Sequence, residues 1–117
     1  VGKMPLPLMQ EYSKKHGEKF GTIPTSESAF NYEVMYIFAE AMKKAGTVAD
    51  LTKIMAAISE VLPVGQHAIR GIHSMTKEGQ FLSGYFAMEV AEGKFGSPVD
   101  IDPRPWYQKY GATWMPK

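Results

Sequence analysis

A long apolar stretch at residues 27–45 constrains this chain more than any other feature. Phe30, Val34, Ile37 or Phe38, Ala41 and Ala45 recur at steps of three and four, the period of an α-helix. Tyr32, Met35, Tyr36, Ala39 and Met42 fill much of the remaining surface. A helix that is apolar on more than one face needs neighbours on several sides, so this one is predicted to be central. Thr25, Ser26 and Ser28 are candidate caps for its start, and Gly46 suits the left-handed position just past its end.

The rest of the chain is read around that helix. Residues 1–7, with Pro5 and Pro7, form an extended lead-in. Residues 8–16 form a short helix with Leu8, Met9 and Tyr12 in one apolar arc and Glu11 facing Lys14 and Lys15. Gly17 is its stop signal, and His16 sits at the helix end, where the dipole favours it. Residues 18–26 form a loop. After Gly46, Thr47 and Asp50 stand three apart, either as a capping-box variant or with Asp50 itself as the cap. A further helix then runs to about Glu60 with Leu51, Ile54, Met55 and Ile58 on one side, closed by Pro63 and Gly65. Its tight connection to the central helix implies an αα-hairpin or a corner.

Beyond Gly65 the period changes. Residues 67–74 read as a strand with imperfect alternation (Ala68, Ile69, Ile72, then Met75), and Lys77-Glu78-Gly79-Gln80 as a turn. Residues 81–91 are the clearest strand. Leu82, Phe86, Met88 and Val90 share one parity, and Phe81, Tyr85, Ala87 and Ala91 the other. Glu92-Gly93-Lys94 is a second turn, and residues 95–101 return as a short strand broken by Pro98. A tail at 103–117, carrying Trp106, Tyr107, Tyr110 and Trp114, is too aromatic for a free linker and is expected to pack onto something. The fold class is therefore α/β, with helices followed by a β-hairpin and a short strand. So thin a sheet for so many apolar helical faces fits either a small free-standing domain or the C-terminal part of a larger α/β protein.

Composition narrows the chemistry. The 117 residues carry 13 basic and 12 acidic side chains, a formal charge of +1, which lacks the basic excess that nucleic-acid binding wants. Zero cysteines exclude disulfides, a thiol nucleophile and thiolate metal sites. No stretch reaches the length of an apolar membrane span, no signal peptide opens the chain, and it begins at Val1, as a processed or excised piece would. Phosphate-binding loops, dinucleotide fingerprints and hydrolase or zinc motifs are absent. His67 and His73 would share a parity in an extended strand, but no third metal ligand stands near them. Asp100 and Asp102 could flank a common point, yet a carboxylate pair needs a groove and a tuned acid. No catalytic residue, metal or cofactor is assigned, and the chain is read as not an enzyme.

Several phrases, taken in order, resemble the C-terminal part of the branched-chain amino-acid receptors, the type 1 periplasmic substrate-binding proteins of ABC transporters. Tyr12-Ser13-Lys14-Lys15-His16-Gly17 is similar to a helix-ending phrase of that family. Ala29-Phe30-Asn31-Tyr32-Glu33-Val34-Met35-Tyr36 resembles its aromatic-led helix, which closes here with Glu40-Ala41-Met42-Lys43-Lys44-Ala45-Gly46. Ile54-Met55-Ala56-Ala57-Ile58 resembles the next short helix. Lys77-Glu78-Gly79-Gln80 and Glu92-Gly93-Lys94 resemble its two late turns. The resemblance covers residues 8–99. It departs at Gly71-Ile72-His73-Ser74-Met75-Thr76, where the family carries Gly-x-hydrophobic-x-Phe-Asp.

The resemblance implies a two-lobed, non-catalytic receptor, periplasmic or extracellular and open to lipid anchoring, that closes on an amino acid and delivers it to a membrane permease. The long helix would begin near the cleft, making Phe30, Asn31 and Tyr32 the candidate ligand-binding residues. Phe30 or Tyr32 would supply apolar contact and Asn31 a donor or acceptor, although Phe30 equally fits the helix's core stripe. Tyr12 and Phe38 are assigned to packing. Half a pocket would bind ligand poorly and leave apolar surface to be covered by a second copy, so self-association is expected. The alternative is a small protein-interaction domain.

Overall fold

The computed structural model describes residues 6–83, 85–87, 90–96, 99–102, 105 and 108–110. Helix α1 spans Pro7–Phe20. It starts on a proline, which at the first turn gives up no hydrogen bond. It runs straight through Gly17, the expected stop, and ends at Gly21 (φ 69°), whose N–H donates to the Gly17 carbonyl at 2.8 Å. A mid-helix glycine costs about 1 kcal/mol. The extra turn offsets that by setting Phe20 against the His16 ring, with centroids 4.8 Å apart. His16 is accordingly inside the helix and not at its end.

Helix α2 spans Ser26–Ala45. Thr25 is its cap: the Thr25 Oγ1 accepts the Ser28 N–H at 3.1 Å. Gly46 (φ 67°) donates to Lys43 O and Thr47 N–H to Met42 O, a Schellman ending. Helix α3 spans Leu51–Val61 and is capped by Asp50, whose Oδ1 accepts the Lys53 N–H at 3.1 Å. Thr47 shapes the connection instead, its hydroxyl oxygen accepting the Ala49 and Asp50 N–H groups. The α3 face that packs is Ile54, Ala57, Ile58 and Val61. Leu51 and Met55, expected on that face, are exposed.

The central helix follows its expected stripe in its C-terminal half and departs from it in its N-terminal half. Its fully buried residues are Ala29, Glu33, Ile37 and Ala41, each four apart: Ile37 and Ala41 belong to the expected stripe, whereas Ala29 and Glu33 are buried where Phe30 is exposed and Val34 only partly buried. Two apolar clusters divide the helix between them. Ile37 and Ala41 join Ile54, Ala57, Ile58, Val64 and Ile72; Ala29 joins Met9 and Ile69. Thus the N-terminal half of α2 packs on α1 and its C-terminal half on α3. Glu33 lies at the divide, with no exposed surface.

The strand expected over 67–74 is shorter. A 3-10 turn occupies Gly65–His67, tight backbone bonds link Ala68 to Gly65 and Gly71 to Ala68, and β1 starts only at Ile72. Strand β1 (Ile72–Met75) pairs antiparallel with β2 (Phe81–Ser83) around a turn where Thr76 N–H bonds Gln80 O at 2.8 Å. Its register slips by one between Ile72 and Ser74, a bulge at His73. Ile72 and Met75 are an odd number of residues apart, yet both pack on the larger cluster, which the bulge makes possible. It also accounts for the imperfect alternation in the sequence.

The remaining strands nest: β3 (Tyr85–Ala87) pairs with β6 (Val99–Ile101), and inside them β4 (Val90–Ala91) pairs with β5 (Lys94–Phe95). Glu92 (φ 52°) and Gly93 (φ 73°) form the two-residue turn of primed type that suits a twisted hairpin. The architecture is a mixed α/β one, helices first and antiparallel hairpins after. The break at Pro98, and Trp106, Tyr107 and Trp114 of the tail, lie outside the described residues. No helix among the described residues is long and apolar enough to cross a membrane.

Candidate functional site

Helical spacing puts two parallel rows on one side of α1. Leu8, Tyr12, His16 and Phe20 recur every four residues, and so do Glu11, Lys15 and Lys19. Both rows face an open groove of about 480 Å³, whose far side is Tyr32 of α2 and Gln66, His67 and Ile69 of the turn before β1. The rings form a continuous run. Phe20 meets His16 at 4.8 Å, His16 meets Tyr12 at 5.9 Å, Tyr12 meets Tyr32 at 5.0 Å, and Tyr32 meets His67 at 6.0 Å between centroids. Behind them Tyr36 stacks on His67 at 3.5 Å with the planes only 6° apart.

Hydrogen bonds fix the two imidazoles. His16 Nδ1 lies 3.0 Å from the Thr22 carbonyl oxygen, which can only accept, so Nδ1 carries a proton and Nε2 of the neutral ring is left as an acceptor. His67 Nδ1 lies 3.0 Å from the Tyr32 hydroxyl. Burial, with Tyr36 alongside, pushes the Tyr32 phenol above its ordinary range, so it keeps its proton and can donate to His67. Along the charged row Lys15 reaches Glu11 at 2.6 Å, which lowers the Glu11 carboxyl and raises the Lys15 amine. Lys19 lies over the Phe20 ring at 5.3 Å. With two lysines against one glutamate, the groove carries a net positive charge.

A buried carboxylate holds the far wall in place. Glu33 accepts the backbone N–H of Arg70 and, at 2.7 Å, that of Ile72. Burial raises its carboxyl above the usual carboxylate range, while those N–H donors and the Arg70 charge pull it back. The Arg70 guanidinium in turn donates to Ser26 Oγ at the start of α2. The segment that carries Gln66, His67 and Ile69 is thereby tied to the same helix that supplies Tyr32.

Of the three residues singled out in the sequence, Tyr32 lines this groove. Phe30 and Asn31 are exposed and lie outside its lining, and Phe30 does not join either buried cluster. Tyr12 packs on the smaller cluster while also lining the groove, and Phe38 packs on the larger. His67 and His73 do not share a strand. His67 is in the 3-10 turn, and His73 is in β1 with Nδ1 2.9 Å from Ser74 Oγ. Among the described residues no three His, Cys, Asp or Glu side chains gather to hold a metal ion. Sequence reasoning missed His16, Phe20 and Glu33. The four-residue spacing of Tyr12, His16 and Phe20 was a usable signal for the first two, once the helix is carried past Gly17.

No family model matches the chain, no curated protein matches it, and no solved structure matches it.

Proposed function

We propose that the chain is the C-terminal part of a two-lobed substrate-binding receptor of the kind that serves ABC importers, taking a branched-chain or related amino acid and handing it to a membrane permease. The observation that carries the reading is the placement of Tyr32. It stands in the second turn of α2, its hydroxyl is held by His67, and its ring lines an open groove. A receptor that closes on its ligand needs such a preset wall on one lobe. Phe30 and Asn31 sit beside it with their side chains exposed, as groups that meet a second lobe would. From α2 onward the order of helices, turn and hairpins follows the phrases that carry the resemblance, while α1 runs through Gly17, where the first phrase would end a helix. In this reading the protein binds and releases without chemistry and works outside the cytoplasm.

Calorimetric titration tests it. The intact parent, recovered from the gene, is titrated with leucine, isoleucine, valine and small amides, with this chain as control. Saturable binding by the parent that falls on Tyr32→Ala, with weak or absent binding by the chain, supports the reading. A parent without a first lobe, or one that binds no member of the panel, overturns it. The same reading has the isolated chain self-associate, because part of a two-lobed receptor would expose apolar surface that its other part covers. Light scattering that gives a monomer rejects that part.

A further inference from the structure

We propose that His67 is a positioning residue for ligand recognition: by accepting the hydrogen bond of the Tyr32 hydroxyl it fixes that oxygen as an acceptor for the ammonium group of the amino acid. The assignment deepens the receptor reading and rests on it. A phenol has one proton to give and lone pairs to receive with. The Tyr32 hydroxyl lies 3.0 Å from His67 Nδ1. A phenol O–H is a better donor than a neutral imidazole N–H, and an imidazole nitrogen is a better acceptor than a phenol oxygen. The proton therefore lies on the line to Nδ1, and the neutral imidazole carries its own on Nε2. His67 is held in that role. Its ring stacks on Tyr36 at 3.5 Å with the planes 6° apart, and its backbone N–H is bonded to Val64 O in the 3-10 turn.

An aliphatic amino acid carries one donor group, its ammonium, and one strong acceptor, its carboxylate. The groove separates the matching partners. Lys15 and Lys19 line its α1 side and outnumber Glu11, which draws the carboxylate there. Tyr32 and His67 stand on the far side, where an acceptor that has already given its proton away can take a charge-assisted bond from the ammonium. Protonation of His67 reverses this. Both ring nitrogens then donate, Tyr32 must accept from Nδ1, and the phenol proton is left to meet the ammonium donor to donor. The other titratable groups around the ring are Tyr32 and Tyr36 on α2, and Glu11, Tyr12, Lys15, His16 and Lys19 across the groove on α1. Glu33 and Arg70 are engaged past it, with the backbone before β1 and with Ser26. His16 differs from His67 in its proton, since its Nδ1 donates to the Thr22 carbonyl.

Two measurements test this. Nitrogen NMR of the unmutated chain with labelled histidine, at about pH 8 where imidazoles are neutral, reads the tautomers without any ligand. His67 is expected to carry its proton on Nε2 and His16 on Nδ1; a proton on His67 Nδ1 overturns the proposal. Calorimetry of the intact parent with leucine reads the consequence. Tyr32→Phe and His67→Ala should each weaken binding roughly tenfold. Adding His67→Ala to Tyr32→Phe should cost nothing further, because both remove the same acceptor. His67→Asn, whose amide oxygen stands in for Nδ1, should restore most of the affinity. Binding by the parent should weaken between about pH 8 and about pH 5.5, and that fall should be lost in His67→Asn, which cannot be protonated. Glu33 and His16 are present in both proteins, so the difference between the two profiles belongs to His67. Additive losses, unchanged affinity in His67→Ala, or a pH dependence that survives intact in His67→Asn would each overturn the proposal. The tautomer and the parent's own pH profile need no variant, which keeps the test valid if one of them does not fold. If the parent binds leucine and these results fail, the role of His67 falls and the receptor reading stands. If the parent binds no amino acid, both fall.

Discussion

Glu33 accepts the N–H of Ile72 at 2.7 Å, joining the middle of α2 to the first strand across 39 residues of sequence. The same carboxylate takes the Arg70 N–H, so one buried side chain satisfies a backbone donor in the segment before β1 and another at the strand's first residue. Glu33→Ala leaves both donors unpaired in a dry site, and the expected cost is about 3 kcal/mol or more. Glu33→Gln keeps one acceptor but turns an N–H₂ group towards the second donor, for an expected loss of about 1–3 kcal/mol. Urea denaturation measures both, and a Glu33→Ala variant as stable as the parent chain would refute the assignment.

Acidity should reveal the same group. Burial raises the Glu33 carboxyl in the folded chain above its unfolded value, so the folded state holds that proton more tightly. Its favourable contribution is fully present below the unfolded pKa and is lost as pH rises through the higher folded pKa. The stability of the natural sequence relative to Glu33→Gln should therefore fall with rising pH across that window. Unfolding curves collected at a series of pH values give the slope, and a flat or rising difference contradicts it.

The Tyr36–His67 stack and the Tyr32–His67 hydrogen bond depend on one imidazole. His67→Ala removes both, with an expected loss of about 1–2 kcal/mol, and Tyr32→Phe removes only the hydrogen bond, for about 1 kcal/mol. Thermal melting ranks the two variants. The Tyr36 ring protons provide a second readout, since their resonances should move on His67→Ala and stay nearly in place on Tyr32→Phe.

Core and surface positions should separate cleanly within the helices. Ile58 is fully buried between α2 and α3, and Ile58→Ala should cost about 2–5 kcal/mol. Met35, of similar size, is 70% exposed on α2, and Met35→Ala should fall within about 0.5 kcal/mol of no change. A large effect at Met35 in dilute solution would mean that its face is covered by another molecule.

The ends of α2, the start of α3 and the Glu92-Gly93 turn were legible because their signals are local. Thr25, Gly46, Asp50 and Glu92-Gly93 each act through their own backbone neighbours, and each sits where its chemistry suggests. The facing of the first half of α2 was not legible, because a hydropathy pattern assigns a glutamate to water. Glu33 is inside only because Arg70 and Ile72, nearly 40 residues later, bring their N–H groups to it. With Ala29 and Glu33 on the buried side, Phe30 is left at 38% exposure. The strand start failed for the same reason: residues 68–71 are apolar enough to extend, but the turns that begin at Gly65 keep them coiled until Ile72. At the site, Tyr32 could be named from the sequence, whereas His67 as its partner needed the tertiary fold.

The run from Gln66 to Ile72 has three employers. Its first residues floor the groove, its Arg70 and Ile72 amides end in the Glu33 carboxylate, and its last residue begins the sheet and plugs the larger cluster. Five peptide links between His67 and Ile72 leave little slack, since a chain spans at most about 3.3–3.6 Å per residue. Such a strap behaves like a short tether under load. An inserted or deleted residue there has no loop to absorb it and must be felt at once by the groove wall, the buried acid and the strand register. Length in this segment is thus more tightly constrained than side-chain identity.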